Sequence, residues 1–338
     1  MKTHTYILTL MATLTLTTLC YAGVGMQNFD IQHQARETTA RIWYPTQDDQ
    51  SPTLEFKHKV WQGEPVIQNA APTPGRYPLV LLSHGMGGAI ENQSWLAHQL
   101  VAAGYIVASL NHPGTSFRNQ DSTEMPKLQA RAEDLTRLID AVLTMTPIAS
   151  SIDAERIAAV GHSLGGYTVM RTVGAQHSNQ RFIYACGQHQ SNDICGPLER
   201  LGLNAQTLSP SLEAEVRDHR IKAVVSLDLG GSFLFTPESL QSLSTPILII
   251  GASLGGHIDQ ETESRYLSGV LPAKTTRYIE GVSYTHFDFM GECTEKGLEI
   301  LQKYEPEDAM VCDGGTSERR QKHHEIGRSI VDFLKATL

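Results

Sequence analysis

The chain has 338 residues, 41% of them hydrophobic and 19% charged, with a formal net charge of −9. That balance argues against a nucleic-acid surface or a patch for anionic membranes. No internal repeat and no long single-sign charge run divides the chain, and length alone does not separate one domain from two.

Residues 1–22 read as a separate object. Lys2 precedes a modest apolar stretch from Ile7 to Leu19, and Cys20-Tyr21-Ala22 places small residues where a signal peptidase needs them. The expectation is an export signal cleaved after Ala22 and a mature chain of residues 23–338, secreted or periplasmic. No later stretch approaches the 18 or so apolar residues of a spanning helix. Export gives the cysteines meaning, because Cys186, Cys195, Cys293 and Cys312 remain once Cys20 is removed. An even number in an oxidising compartment favours disulfides, and proximity favours Cys186–Cys195 and Cys293–Cys312. No C-x-x-C pair points to zinc, and the sequence calls for no metal and no cofactor.

Residues 38–44 (TTARIWY) alternate and are rich in β-branched and aromatic side chains, which predicts a strand ended by Pro45. Residues 46–77 are polar, Pro-rich and poorly periodic, so they read as a surface excursion carrying one short strand or helix. Residues 79–83 (LVLLS) form a continuous apolar run, the pattern of a strand buried on both faces of a parallel sheet. The run opens into His84-Gly85-Met86-Gly87-Gly88, a glycine cluster of the kind that lets backbone approach something closely. A helix over 92–103 is stopped by Gly104, a strand follows over 105–110, and apolar spacing predicts a helix over 127–144.

The next strand runs into Arg156 to Tyr167, RIAAVGHSLGGY, which passes from an apolar run through Gly161-His162-Ser163-Leu164-Gly165 into a helix-compatible segment. This is the G-x-S-x-G nucleophile elbow pattern, in which a serine is thrust from a strained turn between glycines. Residues 174–220 then break the alternation. They read as an insertion after the elbow helix, ending in a helix over 211–219, and either capping the active site or lying peripheral to it. Strands return at 221–227, 246–251 and 275–280, and residues 291–320 form another polar segment. An amphipathic helix over 325–334 closes the chain. The alternation predicts an α/β fold, a doubly wound and mostly parallel sheet.

A serine hydroxyl needs a base within hydrogen-bond reach and a group that orients the base. His286 sits in the loop after the final strand, whereas His177, His189 and His219 fall in the insertion, His257 follows the penultimate strand, and His323 and His324 read as a solvated helix face. For the acid, Asp228 ends a strand and Asp259 lies in the loop of the next, where it could be a helix cap. Asp228 is the stronger candidate. The backbone N–H of Leu164 and that of Met86 are the candidate oxyanion donors.

These residues resemble the secreted, isoform II type platelet-activating-factor acetylhydrolases and their bacterial relatives among the α/β-hydrolases. The resemblance runs through ARIWYPTQ (40–47), LSHGMGG (82–88), GYIVASLNH (104–112), IDAERIAAVGHSLGG (152–166), VVSLDL (224–229) and VSYTHFDF (282–289). It implies an α/β-hydrolase fold, with Ser163 as nucleophile, Asp228 as acid, His286 as base, and Met86 and Leu164 forming the oxyanion hole. The insertion and the cysteine pairs depart from that pattern, and the same architecture is similar to exported bacterial cutinases and polyester hydrolases. The expected activity is hydrolysis of short or medium acyl esters, small-molecule or lipid, acetylated phospholipids among them. A cutinase-like polyester hydrolase is the alternative, and a non-catalytic binding protein on a hydrolase fold is the reading from another class.

Overall fold

The computed structural model describes residues 23–33, 36–188, 194–313 and 316–338. The expected export signal with Cys20, and His189, lie outside the described residues. One ten-stranded sheet organises the chain: β1 (Gly23–Ile31), β2 (Thr38–Thr46), β3 (Thr53–Glu55), β4 (Glu64–Gln68), β5 (Tyr77–Ser83), β6 (Ile106–Leu110), β7 (Ile152–His162), β8 (Ile221–Leu227), β9 (Ile247–Ala252) and β10 (Thr276–Gly281). Their order is β10-β9-β8-β7-β5-β6-β2-β1-β4-β3. Strands β5 to β10 are mutually parallel, whereas β2 runs antiparallel to both β6 and β1. This is the α/β-hydrolase arrangement expected from the sequence.

The parallel strands read as unbroken apolar runs because both faces are covered. Alternate residues of each strand serve different cores. Leu79, Leu81, Ile157, Ala159 and Val224 join the core under α2 (Leu128–Val142) and α3 (Leu164–Thr172). Val80, Leu82, Ala158, Val160 and Val225 join the core under α1 (Ser94–Ala102) and the C-terminal helix. Helix α1 stops as expected at Gly104, whose φ of +89° only glycine adopts without strain.

The remaining helices are α4 (Asn179–Phe182), α5 (Cys195–Arg200), α6 (Pro237–Gln241), α7 (Ser264–Val270), α8 (Gly297–Tyr304) and α9 (Thr316–Thr337). Within the insertion, the Cys186–Cys195 disulfide joins the segment after α4 to α5. Phe182, Leu198, Leu201 and Leu203 pack there into the core shared by α2 and α3.

Local expectations fail where tertiary contacts intervene. The helix predicted over 211–219 does not form beyond a 3₁₀ turn at Pro210–Glu213. The carbonyls of Leu212 and Ala214, which a helix would use, instead accept hydrogen bonds from the buried Arg171 guanidinium. Strand β2 passes through Pro45 to Thr46, because Pro45 lies beyond the register with β6, where its missing N–H is not called on; it stands opposite Val24 of β1 and its carbonyl accepts from the Thr73 N–H. Strand β1 was hidden by its glycines. A Cβ on Gly25 would come within 2.4 Å of the Tyr44 ring, so the glycine is what lets Tyr44 lie across the strand.

Candidate active site

Ser163 sits between β7 and α3 with φ +56° and ψ −123°, a backbone conformation that side-chain-bearing residues rarely adopt. The surrounding glycines are steric necessities. A Cβ on Gly161 would lie 2.0 Å from the Gly165 carbonyl oxygen, and one on Gly165 would lie 1.9 Å from that of Ser83. The turn is tied to the sheet by the Ser163 N–H, which donates to the Leu227 carbonyl at 2.9 Å.

His286 opens a short 3₁₀ turn after β10, and its Nδ1 lies 2.6 Å from Asp228 Oδ2. A carboxylate can only accept, so Nδ1 carries the proton and Nε2 is left with a lone pair. Asp228 is 0% exposed, and its other oxygen accepts from the Ala252 N–H and from Gln260 Nε2, each at 2.8 Å. Asp259, the competing acid, is exposed and caps its own turn, accepting from the Glu261 N–H and the Thr262 hydroxyl.

The chain after His286 is anchored from below. Asp288 accepts from the Thr285 N–H and hydroxyl and from Lys322 of α9. His323, expected on a solvated helix face, is instead buried. It stacks on Trp95 with ring centroids 3.8 Å apart, and its Nε2–H donates to the carbonyls of Asp288 and Met290. His162, buried beneath the His286 ring, donates Nε2–H to the His286 carbonyl at 2.8 Å, and burial holds it well below the usual histidine range. His177 bonds Tyr167 in the interior, while His219 and His257 are exposed.

The loop after β5 reaches Ser163 from the other side. A Cβ on Gly85 would stand 3.1 Å from that of Ser163. His84 is fully buried and neutral, with burial holding it well below the usual range. Its Nδ1–H donates to the Gly85 carbonyl at 2.7 Å, while its Nε2 accepts from the His112 N–H. Because a trans peptide points C=O and N–H in opposite directions, holding the Gly85 carbonyl fixes the direction of the Met86 N–H. Among the described residues, neither the Met86 nor the Leu164 N–H has a protein acceptor.

A second Ser-His-Asp set lies close by. Ser83 Oγ is 2.9 Å from His112 Nε2, and His112 Nδ1 is 3.0 Å from Asp134 Oδ2. All three are at most 1% exposed and none lines the cavity at Ser163, and burial with the nearby Arg131 charge pushes His112 down to about 3. It is an interior polar network, further tied by Arg36 to Asp134 and by Arg131 to Ser83.

Ser163 and His286 both line a cavity of about 480 Å³. Gly85, Met86 and Phe117 form one side, and Phe56, Val60 and Trp61 another. The far wall is Ile300, Leu301, Tyr304 and Val311, from α8 and the 3₁₀ segment after it. None of the described residues of 174–220 lines it. The wall comes instead from residues read in the sequence only as a polar segment, and the Cys293–Cys312 disulfide was its sole advance signal.

Residues 75–223 match the family described as serine aminopeptidase, S33. The platelet-activating factor acetylhydrolase of Bos taurus is 25% identical over 235 residues, covering 49% of this chain and 52% of that protein. Cutinase est1 of Thermobifida alba is 24% identical over 215 residues, covering 61% and 68%. The chain thus spans about half the length of the acetylhydrolases it matches. A ferulic acid esterase from Streptomyces cinnamoneus shares the fold, with a TM-score of 0.63, 20% identity, and coverage of 94% of this chain and 90% of that one.

Proposed function

Because the chain belongs to the α/β-hydrolase superfamily, we propose that it is an exported serine carboxylic-ester hydrolase working through an acyl-enzyme on short or medium acyl esters. The observation that carries the reading is the 2.6 Å contact between His286 Nδ1 and Asp228 Oδ2 at the edge of a cavity that Ser163 also lines. Hydrolysis of esters is also what joins the acetylhydrolase, cutinase and ferulic acid esterase among the relatives.

In this mechanism His286 Nε2 takes the Ser163 proton as Oγ attacks the ester carbonyl carbon. The negative charge that develops on the carbonyl oxygen is met by the N–H groups of Met86 and Leu164, the latter at the N-terminus of α3. Asp228 stabilises the imidazolium formed at that moment. Collapse of the intermediate breaks the bond to the alcohol, which leaves with the proton from His286. A water, deprotonated by His286, then attacks the acyl-enzyme and releases the acid. Residues 23–338 are the catalytic unit in this reading, with 1–22 as the export leader. The two disulfides fit an oxidising compartment. Among the described residues no helix is long and apolar enough to cross a membrane.

A fluorophosphonate probe tests the proposal: it should label the Ser163 peptide, and Ser163→Ala should lose both the label and about 10⁴-fold or more of p-nitrophenyl acetate turnover. An unlabelled Ser163, or an active Ser163→Ala protein, refutes it.

A further inference from the structure

The far wall of the cavity is a small unit of its own, separate from the cores that hold the sheet. Val60, Cys293, Leu301 and Cys312 are buried together, with Trp61, Leu298, Ile300 and Val311 packed against them. Backbone bonds join it to the loop before β4. The Gln62 N–H donates to Glu292 at 3.0 Å, the Thr294 N–H donates to Val60 at 2.7 Å, and Trp61 bridges to Cys293. Space is short inside, since a Cβ on Gly297 would lie 3.3 Å from Cys312 Sγ. The disulfide therefore sits in the centre of this unit and fixes α8 and its following turn over the cavity.

The His286 imidazole itself is held by Asp228, and the turn it opens is held by Asp288 with Lys322 and His323 on α9, while Arg319 of the same helix reaches both Asp288 and Cys293 Sγ. The wall is also chemically selective. Apart from histidines, the side chains lining the cavity that carry a charge at neutral pH are Glu305 and Asp308, so an anionic substituent meets like charge there while most of the wall is aromatic and aliphatic.

We infer that the segment clamped by Cys293–Cys312 determines substrate specificity, with Ile300, Leu301 and Tyr304 receiving an uncharged, bulky apolar or aryl substituent of the ester. The inference rests on the ester-hydrolase reading. The moiety removed by truncating Ile300 and Tyr304 is several methylene equivalents, and one such group in an apolar pocket is worth about tenfold or more in discrimination.

The test compares ethyl acetate, small on both sides, with the isomers ethyl 3-phenylpropanoate and 3-phenylpropyl acetate, which carry the bulk on the acyl and alcohol side respectively. The wild type should prefer one of the two bulky esters over ethyl acetate in kcat/KM. In Ile300→Ala/Tyr304→Ala, and separately in Cys293→Ser/Cys312→Ser, that preference should fall at least about tenfold, chiefly through a raised KM for the bulky ester. Cys186→Ser/Cys195→Ser, whose bridge lies away from the cavity, should retain the wild-type ratio. Both rates come from one preparation, so the ratio is independent of the folded fraction. A wild type with no preference for bulk, or wall variants that keep the wild-type ratio, overturns the inference. A wild type inert toward all three esters overturns the hydrolase reading, and this inference falls with it.

Discussion

Asp228→Asn changes almost no volume, yet the surroundings of this side chain dictate how the new amide must sit. Oδ1 faces two donors, the Ala252 N–H and Gln260 Nε2, both at 2.8 Å. The amide oxygen has to take that position, because an NH₂ there would set donor against donor in a site with no exposure to water. The amide nitrogen is then turned toward His286 Nδ1. To accept from it, the imidazole must move its proton to Nε2, which leaves no lone pair for the Ser163 hydroxyl. The expected outcome is a loss of about 10⁴-fold in kcat, equivalent to about 5 kcal/mol of transition-state stabilisation, with a near-normal KM and unfolding temperature. Asp259→Asn, on an exposed turn, should stay within about twofold of the wild type. Hydrolysis of p-nitrophenyl acetate at saturating substrate, corrected by active-site titration, makes the measurement. An Asp228→Asn enzyme within tenfold of the wild type, or an Asp259→Asn enzyme as impaired as Asp228→Asn should be, would refute the assignment.

Two further predictions concern the groups around this site. His84→Ala should lower kcat by up to about 10²-fold with little change in KM, since His84 acts by holding the Gly85 carbonyl and so the direction of the Met86 N–H; an equal change in KM instead would mark a purely structural role. Glu263 is buried beside Asp228 with Oε2 bonded to the Ser232 N–H and hydroxyl, and burial pushes its carboxyl up from 4.5 to about 7. The folded state therefore binds more protons than the unfolded one between about pH 4.5 and 7, so stability from this group is present below that window and is lost as pH rises through it. Glu263→Gln mimics the protonated form. It should match the wild type near pH 5 and exceed it by about 3 kcal/mol at pH 8, from about 2.5 units at 1.36 kcal/mol each. Urea unfolding at the two pH values measures the difference, and a gap that does not change with pH would refute the account.

What the sequence determined by itself is the part written in local chemistry. Strands buried on both faces appear as continuous apolar runs, so β5, β6, β8 and β9 could be read directly. The turn at Ser163 could be read because its strained backbone demands glycine at fixed offsets. The insertion's position after α3 was equally plain, whereas its terminal helix was not, since Arg171 captures the carbonyls that helix would have used. Three matters were decided only by the tertiary structure. The acid facing His286 depends on two loops 58 residues apart. That Ser83, His112 and Asp134 also assemble, but in the interior, depends on burial and long-range packing, whereas of the two serines only Ser163 carries the G-x-S-x-G signature in the sequence. The cavity wall is made where residues 59–62 meet residues 292–294 by backbone bonds, and backbone pairing between such distant segments leaves no periodic trace in either one.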